Sequence, residues 1–177
     1  RVVLVDSDLR KGSLSRYLHL SHNRPGISNI VAGQATLNDA LVRFKNVQFT
    51  LLPVGPLPPN PSEMLSLPAV EQMFDTLREY YDYIIVDTPP VSVVTDAAVM
   101  CRMVDGVVLV VRSGVTTIQG AQLSKKKLEA VGARILGVVL NGYDARRIGR
   151  RDGYSYAYSY NYYAGDDQSE DKKATLS

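Results

Sequence analysis

Four stretches of the chain are apolar without interruption: Val2 to Val5, Tyr83 to Val86, Val107 to Val111 and Ile135 to Leu140. Each is short and rich in β-branched residues, the pattern of strands buried on both faces. Residues 47–54 predict a further strand, and the proline-rich stretch from Gly55 to Pro61 a loop too stiff and donor-poor for either regular element. Between the runs the period changes. Val70, Met73, Phe74 and Leu77 recur at spacings of three and four and predict a helix, capped by Ser66 with Pro68 in its first turn. A helix is also expected over residues 96–103, and another over residues 117–131, ended by Gly132. Near the start, Ser13 is expected to cap a short helix reaching Leu20, with Leu14, Tyr17 and Leu18 on one face. Pro25-Gly26 turns the chain into residues 27–31, which Gly33 ends. Thr36 opens a helix towards Phe44, with Asp39 at its positive end. Strands alternating with helices predict an α/β fold, a mostly parallel sheet flanked by helices. No internal repeat appears.

Composition alters this picture at one place. Up to residue 145 the chain reads as a single domain with a sizeable core. From Tyr143 onward Arg146, Arg147, Arg150 and Arg151 crowd together, and then tyrosines occupy nearly every second position up to Tyr163. Residues 146–177 are therefore expected to form a basic linker and a flexible tyrosine-rich tail, its end polar and charged. A net charge of +2 over 177 residues is too small to argue for a nucleic-acid partner. Cys101 is alone, so no intrachain disulfide can form, in keeping with a reducing compartment. No apolar run approaches the roughly 18 residues needed to cross a bilayer. His19 and His22 lack a third histidine or a nearby cysteine and read as surface residues, and Lys125 to Lys127 as a solvated helix face.

Asp6 and Asp8 directly follow the first apolar run, and Asp87 ends another. One aspartate after a strand is ordinary, because Asp suits turns and caps. Three at the ends of parallel strands are a different matter, since those ends converge on one crevice. Carboxylates gathered there repel one another, which suits a hydrated divalent metal such as Mg²⁺.

These stretches carry a family resemblance. Val-Leu-Val-Asp6-Ser-Asp8-Leu-Arg10 resembles the Walker A′ motif of bacterial tyrosine kinases, and Ile84-Ile85-Val86-Asp87-Thr-Pro-Pro90 their Walker B. Gly55-Pro-Leu-Pro-Pro-Asn-Pro-Ser-Glu63, Val94-Thr-Asp-Ala-Ala98, Gly137-Val-Val-Leu-Asn141 and the tyrosine-rich end fit the same family. The resemblance implies a deviant-Walker, P-loop NTPase-like fold and an ATP- and Mg²⁺-dependent protein-tyrosine autokinase. Asp6 would accept the proton of the attacking tyrosine, and Asp8 and Asp87 would hold the metal, the three forming the catalytic set. Asn141 would read the adenine edge, with Arg112 near it. Thr88 would orient Asp87 or simply cap its neighbours. Tyr154, Tyr156, Tyr158, Tyr160, Tyr162 and Tyr163 would accept phosphate from a neighbouring subunit in a ring of identical chains. Implied partners are the polysaccharide polymerisation and export machinery and a cognate tyrosine phosphatase, with the complete protein at a bacterial inner membrane and this part in the cytoplasm.

One departure matters. No Gly-x-x-x-x-Gly-Lys-Ser/Thr occurs in the 177 residues. In the family that loop lies upstream, and this chain starts inside a strand without a methionine, so it reads as a C-terminal fragment lacking the Walker A segment and inactive alone. A natural chain without the loop would be a pseudo-enzyme. Other readings are an ATPase switch of the ParA/MinD type, which shares both aspartate motifs but not the tail, and a non-catalytic regulatory module. Alternating tyrosines also suit an amphipathic edge strand or an aromatic platform for sugars or single-stranded nucleic acid. Six tyrosines spaced by Ser, Ala and Asn lack the branched aliphatics that bury a strand, and the small neighbours let a phenol enter a deep site.

Overall fold

The computed structural model describes residues 1–21 and 24–144; the arginine cluster, the tyrosine-rich tail and His22 lie outside them. Strand β1 (Val2–Asp6) sits inside a four-stranded sheet of order β2-β3-β1-β4, formed with β2 (Val42–Arg43), β3 (Phe49–Leu52) and β4 (Tyr83–Asp87). β1 is parallel to both β3 and β4, and only the two-residue β2 runs antiparallel. A second sheet pairs β5 (Val107–Arg112) and β6 (Ile135–Asn141) in parallel. The helices are α1 (Ser13–Tyr17), α2 (Ile27–Val31), α3 (Leu37–Ala40), α4 (Pro61–Leu65), α5 (Pro68–Tyr80), α6 (Asp96–Met100) and α7 (Ile118–Ala130). A 3-10 turn, Cys101–Met103, extends α6, so the helix expected over residues 96–103 is present with a tightened end.

The core lies on one face of the larger sheet. Val3, Val5 and Leu52 form one cluster with Val70, Phe74 and Leu77 of α5 and with Leu9, Ile27, Leu65 and Met100 from the surrounding segments, and Ile84 and Val86 pack against it. The three-and-four stripe of α5 is thus core, as its spacing predicts. α7 begins where Thr117 accepts a hydrogen bond from the Gly120 N–H at 3.0 Å and ends at Gly132, whose φ of +76° suits a residue without Cβ.

Several local expectations are corrected. The helix from Thr36 stops at Ala40: Thr36 and Asp39 form a reciprocal capping box, and the chain then becomes β2, too short to leave a period-two pattern. α1 ends at Tyr17 rather than Leu20, with Gly12, not Ser13, at its cap position and His19 in the left-handed region at φ +53°. Ser66 caps nothing at α5, where Leu67 holds that place without a side-chain bond. Ser66 instead closes α4, its hydroxyl donating to the Ser62 carbonyl at 2.9 Å. α4 arises because Pro61, at the first helical position, has the right φ and needs no N–H partner there.

The runs Tyr83–Val86, Val107–Val111 and Ile135–Leu140 are strands, but they are not buried on both faces. Tyr83 is 69% exposed, Ile85 55%, Val108 52% and Val110 59%. In the larger sheet only β1 pairs with β4, and in the smaller only β6 pairs with β5, so each keeps one unpaired edge among the described residues.

The proline-rich loop is seated by close backbone approach. The Ile27 and Ser28 N–H groups donate to the Pro53 and Val54 carbonyls at 2.9 Å. A Cβ on Gly26 would stand 2.2 Å from the Gly55 nitrogen, so only glycine fits between these segments.

Candidate active site

β1 and β4 are in register, with Asp6 opposite Asp87. The chain leaving β1 is latched across: both the N–H and the hydroxyl of Ser7 donate to the Asp87 carbonyl, at 2.9 and 2.6 Å. Asp6 is fully buried. Its Oδ1 accepts from the Asp8 N–H and its Oδ2 from the Leu14 N–H, both at 3.2 Å. Asp8, half-buried, accepts through Oδ1 from the N–H groups of Arg10 at 3.2 Å and Lys11 at 3.1 Å. The loop from Asp8 to Leu14 is thus folded around the two carboxylates, its amides turned inward.

Burial pushes the Asp6 carboxyl up to about 6; the two backbone donors oppose this, and the charges of Asp87 and Asp8 add to it. Asp87 is also raised, by burial and then by Asp8, against the Thr88 N–H. Thr88 therefore reaches Asp87 through its backbone. Neither Asp6, Asp8 nor Asp87 forms an ion pair among the described residues.

The carboxylates fit a divalent cation of one kind. No three His, Cys, Asp or Glu side chains among the described residues converge as a metal cage. Mg²⁺ does not ask for one: it keeps most of its waters and takes one or two carboxylates plus substrate phosphates. Asp87 at the end of β4 and Asp8 on the loop after β1, neither of them in an ion pair among the described residues, match that requirement.

Arg112 and Asn141 are brought together on the second sheet, where they pair in register at the ends of β5 and β6. Asn141 Oδ1 accepts from the Gly142 N–H at 2.7 Å, and no described hydrogen bond joins either residue to the aspartates. Lys125 to Lys127 are exposed, as expected of a solvated face, and the Lys127 ammonium donates to the Ser92 carbonyl at 2.9 Å, just beyond the Asp87 strand. A broad cavity of about 860 Å³ lies at the opposite end of the larger sheet, among Arg1, Phe44, Phe49 and Tyr80, and contains no expected site residue. A smaller one of about 230 Å³ sits against the loop after Asp8 and is lined by Lys11, Arg16 and Arg24.

One cluster was not legible in sequence. Asp96, at the start of α6, is fully buried and takes a two-pronged ion pair from Arg10, Nε to Oδ2 at 2.9 Å and Nη2 to Oδ1 at 3.0 Å. Ser62 Oγ donates to Asp96 Oδ1 at 2.5 Å and accepts from Arg10 Nη2 at 3.2 Å. Burial opposes the charge on Asp96, and the bonds from Arg10 and Ser62 outweigh it, holding this carboxyl below its usual range. All three residues lie in stretches singled out above, but their separations in sequence gave no sign that they meet.

The raised Asp6 has a pH consequence. A carboxyl at 3.8 in the unfolded chain and about 6 in the fold binds more protons when folded, so stability falls as pH rises through that window and is level above it. Asp87 acts in the same direction. In chelator, urea unfolding is expected to show about 2 kcal/mol less stability at pH 7.5 than at pH 4.5 from Asp6 alone. Asp6→Asn should flatten the dependence; an unchanged slope in that variant would assign it elsewhere.

No protein-family model matches the chain. Tyrosine-protein kinase Etk of Escherichia coli K12 is 39% identical over 160 residues, which span 90% of this chain but only 21% of Etk. CapB of Staphylococcus aureus, classed with the tyrosine-protein kinases, is 32% identical over 158 residues, covering 89% of this chain and 68% of CapB. The solved kinase domain of the Escherichia coli tyrosine kinase Etk superposes with a TM-score of 0.79 at 38% identity, over 88% of this chain and 60% of that one. MinD of Pyrococcus horikoshii, solved with Mg-ADP, shares the fold at 23% identity and a TM-score of 0.64. A P-loop NTPase-like sheet with aspartates at the ends of β1 and β4, together with this degree of identity along most of CapB, places the chain in the family of bacterial tyrosine-protein kinases.

Proposed function

We propose that the complete protein is an ATP-dependent protein-tyrosine autokinase that phosphorylates the tyrosine-rich tail of a neighbouring copy. The observation that carries this reading is the pairing of Asp6 with Asp87 at adjacent parallel strand ends, with Asp8 on the adjoining loop and no ion pair to any of the three among the described residues, in a chain that also supplies six clustered tyrosines. Phosphoryl transfer needs positioning and charge neutralisation more than covalent protein chemistry. The tyrosine oxygen forms its bond to the γ-phosphorus as the bond to the bridging oxygen breaks and ADP leaves, and the phenolic proton passes to Asp6. Asp8 and Asp87 would hold Mg²⁺, which when bound would supply neutralisation of phosphate charge. Asn141 and Arg112 face the adenine edge. Because Asp6 is sealed by the Leu14 N–H in this conformation, access for a phenol requires that loop to open.

A phosphate-binding loop in the complete protein would supply the cradle that these 177 residues lack. No described helix is long and apolar enough to cross a membrane; the complete protein is held at the bacterial inner membrane, with residues 1–145 as kinase domain and 146–177 as tail. Partners are neighbouring copies in a ring, the machinery of polysaccharide polymerisation and export, and a tyrosine phosphatase that resets the tail.

The test is incubation of the complete protein with ATP and magnesium. Phosphotyrosine on Tyr154, Tyr156, Tyr158, Tyr160, Tyr162 or Tyr163 is expected. Release of inorganic phosphate without phosphotyrosine would replace the kinase with an ATPase switch.

A further inference from the structure

Three connections leave the carboxyl ends of neighbouring strands in the larger sheet: the loop after β1, the proline-rich loop and α4 after β3, and the segment to α6 after β4. Each contributes one member to the cluster of Arg10, Ser62 and Asp96. A buried carboxylate is costly unless it is paired and hydrogen-bonded. Here its side-chain donors are the Arg10 guanidinium, twice, and the Ser62 hydroxyl, and both residues stand on the other two connections. The result is a clamp across all three strand ends.

Arg10 faces two ways. Its guanidinium is fixed on Asp96 and Ser62, while its backbone N–H donates to Asp8 Oδ1, joined there by the Lys11 N–H. An arginine beside a phosphate-transfer site invites assignment as a phosphate ligand. This one has its Nε and Nη2 already committed to a buried partner, in a fork that suits a carboxylate.

We infer that Arg10 is a positioning residue: Asp96 and Ser62 lock its side chain so that the Arg10 and Lys11 amides hold the Asp8 carboxylate beside Asp87. The inference rests on the kinase reading for its consequence, not for its geometry. It also gives a role to the Gly55–Glu63 and Val94–Ala98 stretches, which carry the jaw residues Ser62 and Asp96.

The expected result in the complete kinase is that Arg10→Ala lowers kcat for phosphotyrosine formation by about 30-fold, the scale on which a small misplacement acts. The KM for ATP should stay within about twofold, and half-maximal activation should need several-fold more Mg²⁺. Asp96→Ala should do the same, and the double variant no more than either alone, because both open one clamp. Ser62→Ala, which removes a single donor and is the mildest change, should move both quantities the same way by about threefold. Arg10→Lys, keeping charge without the fork, should fall between Arg10→Ala and the unaltered protein. A tenfold rise in KM for ATP with unchanged Mg²⁺ dependence would make Arg10 a phosphate ligand and overturn the inference, as would additive effects in the double variant. A readout independent of catalysis is hydrogen exchange on the 177-residue chain without nucleotide. The Arg10 and Lys11 amides should lose at least about tenfold protection in Asp96→Ala, while the β1 amides keep theirs. Unchanged protection sinks the clamp even if the protein is a kinase. Lost protection supports it even if no phosphotyrosine forms.

Discussion

Asp6→Asn in the complete kinase is expected to cut phosphotyrosine formation by at least about 100-fold while leaving nucleotide binding in place. A positioned general base contributes on the order of 10² to 10⁴ in rate, and an amide of the same shape cannot take the proton. The carboxyl is suited to the task, since burial pushes it up to about 6, close enough to neutral pH to be both ionised and basic. Stability should move the other way. At pH 8 the buried Asp6 charge costs about 3 kcal/mol relative to the unfolded chain, and Asn removes it. Against that, the Asn NH₂ must face either the Asp8 or the Leu14 N–H, a mismatch of about 1–3 kcal/mol. The variant should therefore be as stable as the parent or more so, and far less active. Full activity in Asp6→Asn, measured as phosphotyrosine per unit time, would remove Asp6 from the role of base. Lost activity with a collapsed unfolding midpoint would make it a structural residue.

The second large effect concerns the nucleotide. The 177 residues on their own should bind Mg-ATP at least about 100-fold more weakly than a longer chain that carries a phosphate loop, and should not phosphorylate themselves. A phosphate loop binds by pointing several backbone N–H groups and a lysine at the anion. Here the amides after β1 are turned towards Asp6 and Asp8, and the Arg10 guanidinium is held by Asp96. The Asp6, Asp8 and Asp87 carboxylates repel ATP, and the side chains of Lys11, Arg16 and Arg24 beside them line a cavity of only about 230 Å³. Calorimetric titration checks this directly. Micromolar affinity in the 177-residue chain would mean that a phosphate cradle exists among its own residues.

How much of this could be read beforehand depends on the range of the interaction. β1 and β4 were legible because an unbroken apolar run ended by Asp is a local signal, and the rule that parallel strand ends converge brought Asp6 and Asp87 together. α5 was legible from its period, though not from its cap, and α7 from the glycine that ends it. Ser62 and Asp96 were not: nothing in a proline-rich loop or in Thr-Asp-Ala indicates that two such side chains meet one arginine. α4 was hidden by reading Pro61 as a loop residue when it also starts helices. The expectation of strands buried on both faces failed for Tyr83, Ile85, Val108 and Val110, because a run of apolar residues records what a strand can bury and not which neighbours cover it.

Those four side chains have a practical side. An unpaired parallel edge flanked by exposed aromatic and branched residues is a template for adding another strand. Among the described residues there are three of them, at β4, β5 and β6, and thus a built-in route to clumping that owes nothing to the tail tyrosines. At the concentrations used to weigh particles in solution, large masses from this chain would report sticky borders rather than a ring, and they would persist when every tail tyrosine is replaced by phenylalanine. Mild detergent or a few charged substitutions at Tyr83 and Val108 would disperse such clumps, whereas a genuine ring assembled through tails would be indifferent to both.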